Sequence, residues 1–175
     1  MKIRCELHIN GGTRRVLLAG KEEETAEHLA LRLSACMLFW EYRPAVGVGP
    51  RDPALSGMEF LPDLMGTGED GRISLWVECG NVTVNKLSKL SRRLREARIV
   101  VLKESREDGL RLRAAVRDQI TKEGDRIEIL CWPAQEFRRW AGVLEESNHA
   151  VGEAQGCSLN MVLNESAFAV QLLPV

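Results

Sequence analysis

Polar and apolar residues alternate at the start of the chain in KIRCELHIN and again in RRVLLAG, with Gly11 and Gly12 between, a pattern that predicts two strands joined as a hairpin. From Glu22 the acidic run EEETAE leads into HLALRLSACMLFWEY, where Leu29, Leu33, Cys36, Met37 and Trp40 recur at helical spacing. Leu31, Ala35 and Leu38 widen that stripe, so the helix is expected to be buried on most sides. The Pro- and Gly-rich stretch 43–71 reads as an irregular connection with one short strand near Met58 to Leu61. Its length suggests functional loops.

RISLWVECG then reads as a strongly apolar strand, NVTVNKLSKLSRRLREA as a helix carrying Leu87, Leu90, Leu94 and Ala97, and RIVVLK as a further strand. Strand, helix and strand within about thirty residues make a βαβ unit, whose two strands run parallel under the helix. A charged helix from Asp108 to Lys122 follows, then the strand RIEILCW, a helix bearing Phe137, Trp140, Ala141 and Leu144, and a closing hairpin from CSLNMVL to AFAVQLL. The expected fold is α/β with a mixed sheet, in a single domain spanning residues 1–175 without repeats or low-complexity tracts.

Composition narrows the classes. With 175 residues, 45% hydrophobic and 28% charged, the chain is an ordinary globular one. Its longest apolar run, Ser34 to Trp40, is far short of the ~20 residues that cross a bilayer, so no membrane partner is expected. The formal charge of -1 gives no global attraction to polyanions, and any nucleic-acid surface has to be local. The first ten residues lack the apolar stretch of a secretory signal, which predicts a cytoplasmic protein. Cys5, Cys36, Cys79, Cys131 and Cys157 are odd in number and widely spaced, which predicts free thiols and no disulfide-linked partner. His8, His28 and His149 form no cluster in the sequence.

Local rules break at Glu78. A carboxylate inside SLWVEC costs several kcal/mol in a central strand unless it is paired, hydrogen-bonded or bound to metal. Alternation puts Ser74, Trp76 and Glu78 on one face and Ile73, Leu75, Val77 and Cys79 on the other. Gly80 ends the strand, which places Glu78 at the carboxyl end, where open α/β sheets bind ligands. Asp63, fifteen residues earlier, lies where a hairpin folds one carboxylate back beside the other, and two acids with water suit Mg²⁺. Lys86 and Lys89 stand in the first turns of the next helix, where the macrodipole disfavours cations, so close carboxylates or a phosphate are expected beside them. Between Lys86 and Arg98 the chain carries Lys86, Lys89, Arg92, Arg93, Arg95 and Arg98 against Glu96 alone, a local basic stripe able to follow a phosphate backbone.

Each feature also has a plain structural explanation. Glu78 fits an ion pair with an arginine, Asp63 a turn after Pro62, and the basic helix face simple solvation. Glu27, in the first turn of the buried helix, fits ordinary complementation of the helix dipole.

ETAEHLALRL, the PDL that precedes GRISLWVECG, and the KLSKL helix together resemble the YaeQ family of the restriction-endonuclease-like PD-(D/E)XK superfamily, and the element order is similar from end to end. The resemblance implies an αβββαβ core with added N-terminal and C-terminal β-hairpins. It also implies a bacterial intracellular setting and a divalent site of Asp63 and Glu78, with Glu27 as a third acid. Three departures stand out. Gly80 occupies the position of the usual nuclease lysine, Met65 that of a frequent tryptophan, and NVTVN replaces a Pro-Asp-Glu turn. Lys86 or Lys89 matches onto the role of the missing lysine.

The implied activity is hydrolysis of nucleic-acid phosphodiesters. Asp63, Glu78 and Glu27 would hold Mg²⁺ or Mn²⁺, Lys86 or Lys89 would orient the nucleophile or neutralise charge, and Lys86, Lys89, Arg92 and Arg93 would contact nucleic acid. A nuclease-like fold kept as a catalytically inactive nucleic-acid or protein-binding regulator is the alternative, motivated by Gly80 and the near-neutral total charge. A third class is a scaffold that binds neither metal nor nucleic acid.

Overall fold

The computed structural model describes residues 1–20 and 24–175, and among these the strands form two sheets. β1 (Lys2–Ile9) and β2 (Gly12–Ala19) are the opening hairpin, turned at Asn10 and Gly11, whose φ of 52° and 77° are those of a two-residue primed turn. Alternation buries Ile3, Cys5, Leu7 and Ile9 on one face.

α1 (Ala26–Leu38) starts at Thr25, whose hydroxyl accepts from the His28 amide at 3.3 Å. The first acids of EEETAE, Glu22 and Glu23, lie outside the described residues. Leu29 to Leu38 are all buried, as the widened stripe predicts. Two indoles bind this helix: Trp132 Nε1 donates to Ser34 Oγ at 3.3 Å and Trp140 Nε1 to the Ala30 carbonyl at 3.0 Å.

β3 (Ala45–Val46), β4 (Leu64–Thr67), β5 (Ile73–Cys79), α2 (Val84–Arg93) and β6 (Arg98–Lys103) follow. After them come α3 (Arg106–Gln119), β7 (Ile127–Cys131) and α4 (Ala134–Gly142). β8 (Ser147–Gln155), β9 (Ser158–Leu163), β10 (Ser166–Gln171) and β11 (Leu173–Pro174) complete the chain. The larger sheet has the order β11-β7-β6-β5-β4-β3, with β5, β6 and β7 parallel and the outer strands antiparallel. The expected βαβ unit is β5–α2–β6.

Two apolar cores flank this sheet. α1 and α4 lie on one face, with Leu75, Val77, Val100 and Leu102 beneath them, and the second sheet covers α1 from the far side. α2 and α3 cover the other face, over Trp76, Ile99, Val101 and Ile129. Glu78 lies on the same face of β5 as Trp76, as alternation requires.

Several boundaries differ from expectation. No strand forms at Met58 to Leu61; pairing begins beyond Pro62, where Leu64 and Met65 face Val77 and Trp76. α2 stops at Arg93 and not at Ala97, because the Arg126 guanidinium binds the Ser91 and Leu94 carbonyls at 3.0 and 2.8 Å. α3 starts at Arg106, ahead of Asp108, since the Ser105 hydroxyl accepts from the Asp108 amide at 3.1 Å, and it ends at Gln119, short of Lys122. α4 ends at Gly142, leaving Leu144 outside it.

The terminal hairpins are not separate additions. β8 pairs parallel with β1 and antiparallel with β9, so that a single sheet of order β10-β9-β8-β1-β2 unites the two ends of the chain. No described helix is long and apolar enough to cross a membrane, and all five cysteines carry free thiols.

Candidate functional site

The carboxyl end of β5 gathers the residues that break local rules. Glu78 is 4% exposed, and its Oε1 accepts from Trp76 Nε1 at 2.6 Å. Lys86 Nζ sits 2.6 Å from the same oxygen. Thr83 caps α2 by accepting from the Lys86 amide at 3.2 Å, which fixes the turn that carries this lysine. The ammonium also donates to the Leu61 carbonyl at 3.2 Å and stands 5.6 Å from the centre of the Phe60 ring. Burial pushes the Glu78 carboxyl above the usual carboxylate range, although the Lys86 charge and the hydrogen bonds from Lys86 and Trp76 pull the other way.

Gly80 has φ +72°, a conformation that a lysine side chain would strain. Its carbonyl accepts from Lys103 Nζ at 2.8 Å and its amide donates to the Leu102 carbonyl at 2.9 Å, so the strand end is tied to β6.

Asp63 caps the neighbouring strand end. Its amide donates to the Val77 carbonyl at 3.1 Å, and its Oδ2 accepts from the Cys79 amide at 2.7 Å. Oδ1 lies 2.9 Å from His28 Nε2 on α1, and the same nitrogen is 3.2 Å from Glu24 Oε1. Arg32 Nη1 binds that Glu24 oxygen at 3.0 Å and the Ala19 carbonyl at 3.2 Å. His28 and Arg32, four residues apart, share one side of α1, and Glu24 reaches both from just ahead of the Thr25 cap.

Burial pushes the Asp63 carboxyl up, but the His28 hydrogen bond and charge, with the Cys79 amide, outweigh it and hold the group below its ordinary range. Burial pushes His28 down, and the hydrogen bond and charge of Asp63, with Glu24, carry it above its ordinary value of 6.5.

Among the described residues, Glu24, His28 and Asp63 offer ligand atoms within 4.8 Å of one another. Two carboxylates and an imidazole suit Mn²⁺ well and Mg²⁺ through the oxygens. Glu78 is not in this group: its close contacts are Trp76 and Lys86, both through Oε1, and its partners stand on the α2 side where those of Asp63 include α1. The two acids still feel one another, since the Asp63 charge adds to the upward push on Glu78.

Glu27 is exposed and borders a different cleft of about 470 Å³ with Glu104, Asp108 and Arg138. Burial first, then the Glu27 and Asp108 charges, push Glu104 up. His28 and Glu24 were not picked out as ligands from the sequence, although their four-residue spacing in ETAEHLALRL carried the signal.

Lys89 pairs with Glu59 at 2.9 Å beside the same Phe60 ring. It lines a groove of about 360 Å³ with Met58, Phe60, Arg92 and Arg93. Arg92 and Arg93 also border a second groove of about 520 Å³, shared with Arg72 and Arg95. The basic stripe thus continues outward from the Lys86 end of α2.

A model of the YaeQ protein family matches residues 12–171. Two solved structures share the fold over 99% of this chain. The YaeQ protein from Xanthomonas axonopodis pv. citri is 21% identical, with 96% of its chain covered and a TM-score of 0.75. The YaeQ protein from Pseudomonas syringae is 20% identical, with 94% covered and a TM-score of 0.77. No curated protein matches the chain. The chain belongs to the YaeQ family.

Proposed function

We propose that this member of the YaeQ family is a divalent-metal-dependent phosphodiesterase of nucleic acid, built on the restriction-endonuclease-like PD-(D/E)XK core. The element order α1–β3–β4–β5–α2–β6 supports that core assignment, since it reproduces the αβββαβ sequence of elements. The observation that carries the functional reading is the 2.6 Å approach of Lys86 to the buried Glu78, which supplies from α2 the cation that Gly80 cannot.

Asp63 would hold the ion with His28 and Glu24, while Glu78 would act through the lysine it positions. A bound ion supplies Lewis acidity toward a phosphate oxygen. Lys86 places a positive charge where charge develops on the phosphate, and Glu78 and the Leu61 carbonyl hold it there. Arg32 holds Glu24 in one orientation. Lys89, Arg92 and Arg93 would take the phosphates that flank the scissile one. Free thiols throughout agree with a cytoplasmic setting.

A test is end-labelled single- and double-stranded DNA and RNA incubated with the purified protein in Mn²⁺, Mg²⁺ or EDTA. Ion-dependent cleavage of at least one substrate is expected.

A second reading is favoured by one observation: Lys86 compensates the buried Glu78 without an ion, as suits a non-catalytic nucleic-acid-binding module. Salt-dependent binding with no cleavage under any ion would select it.

A further inference from the structure

We propose a second metal site on the opposite sheet, formed by Glu6, His8 and His149 and suited to Zn²⁺. The three offer ligand atoms within 4.8 Å of one another, although His149 lies 141 positions from His8 in the sequence. The topology makes the cluster. β1 and β8 are adjacent and parallel, and Glu6 is the register partner of His149. His8 follows Glu6 by two residues, so alternation sets all three on the solvent-facing side of the sheet.

The donor set is two imidazoles and one carboxylate, which favours Zn²⁺ over the hard cations suited to an oxygen-rich site. His8 Nε2 and Glu6 Oε1 are 3.0 Å apart, the span of two bonds of about 2.05 Å meeting at roughly 95°. The rings of His8 and His149 have centroids 5.0 Å apart and are inclined at 53°, and each offers a nitrogen to the same cluster.

The surroundings hold the ligands as metal sites usually do. Thr13 Oγ1 lies 3.0 Å from His8 Nδ1, which fixes the ring and leaves Nε2 turned toward Glu6. Arg15 Nε binds Glu6 through Oε2 at 3.3 Å, leaving Oε1 for the ion. The backbone of His149 is pinned by Asn164, whose Oδ1 accepts from the His149 amide at 2.9 Å and whose amide donates to the His149 carbonyl at 3.0 Å. Three protein ligands on an exposed face leave a fourth position for water or an incoming donor. The ion would tie together β1 and β8, the seam that joins the two ends of the chain.

The test uses the EDTA-treated full chain with ZnCl₂ as probe, followed by competition against a chromophoric chelator and by thermal melting. The Asp63→Ala background removes the other cluster and isolates this one. One Zn²⁺ per chain is expected, with the melting temperature raised by about 7 °C at a hundredfold excess over Kd. His8→Gln and His149→Gln should each weaken binding by about tenfold or more and abolish the rise. Both residues are surface groups, so the metal-free melting temperature of the variants should stay near that of the parent. Affinity unchanged in both histidine variants, or no saturable binding at one ion per chain, overturns the site. Neither outcome depends on phosphodiesterase activity.

Discussion

Lys86 Nζ lies 2.6 Å from Glu78 Oε1 across the junction of β5 and α2, and each group makes the other tolerable where it stands. Glu78 is an acid in a sheet interior, and Lys86 is a cation at the positive end of a helix dipole. Lys86→Met should therefore destabilise the protein by about 3 kcal/mol near pH 8, in line with breaking a buried ion pair, and by less as pH falls and the Glu78 carboxyl, already pushed up by burial, takes up a proton. The double variant Glu78→Gln/Lys86→Met should recover most of the loss in denaturant unfolding, giving a large coupling energy in the cycle.

The His28–Asp63 pair sets a pH window in the metal-free protein. His28 titrates above 6.5 when folded, so its contribution is complete below 6.5 and is lost as pH rises through the higher folded value. Asp63 titrates below its ordinary 3.8, so its contribution is present above 3.8 and is lost as pH falls through the lower folded value. Stability from this pair should thus hold between those limits and decline on the alkaline side. His28→Gln should flatten that alkaline decline in chemical denaturation measured from pH 5 to 9.

Arg92 and Arg93 border both basic grooves, which makes them the natural phosphate contacts if nucleic acid follows α2. Replacing both with alanine should weaken binding by a similar factor across sequences. It should also reduce the slope of log affinity against log salt by about 1.4 to 1.8, from ~0.7 per contact for single strands to ~0.9 for duplex. Fluorescence anisotropy over a salt series measures this directly.

Gly109 carries α3 against β7 at close quarters: a Cβ there would lie 2.0 Å from Cys131 Sγ and 3.1 Å from Val175 Cγ2. Gly109→Ala should cost about 1 to 3 kcal/mol through overpacking, despite the better helix propensity of alanine. Adding Cys131→Ala should relieve part of that loss in thermal melts.

Much of the β5 neighbourhood was legible in the sequence because period-two alternation is a local property: the division of Trp76 and Glu78 from Leu75, Val77 and Cys79 follows from spacing alone. The burial of α1 and the parallel β5–α2–β6 unit were legible for similar reasons. β8 was not, because SNHAVGEAQ buries only Asn148, Ala150 and Ala154 and shows almost no apolar signal. Once β8 is missing, the union of the terminal hairpins and the meeting of His8 with His149 are invisible too, since both depend on its pairing with β1. At the site, the first-turn lysines pointed to a nearby acid, and Lys86 meets Glu78, whereas Lys89 meets Glu59. Glu27 drew notice as an acid in the helix's first turn, but the side chains facing Asp63 belong to His28 of α1 and to Glu24, just ahead of the Thr25 cap.

The most direct test of the proposed chemistry is Mn²⁺-dependent cleavage of DNA and RNA by the wild-type chain and by Asp63→Ala and Glu78→Ala, each purified to homogeneity and shown by circular dichroism to be folded. Cleavage by the wild type that falls about a hundredfold or more in both variants is the expected result. Equal rates in all three proteins, or no cleavage by any, would contradict it.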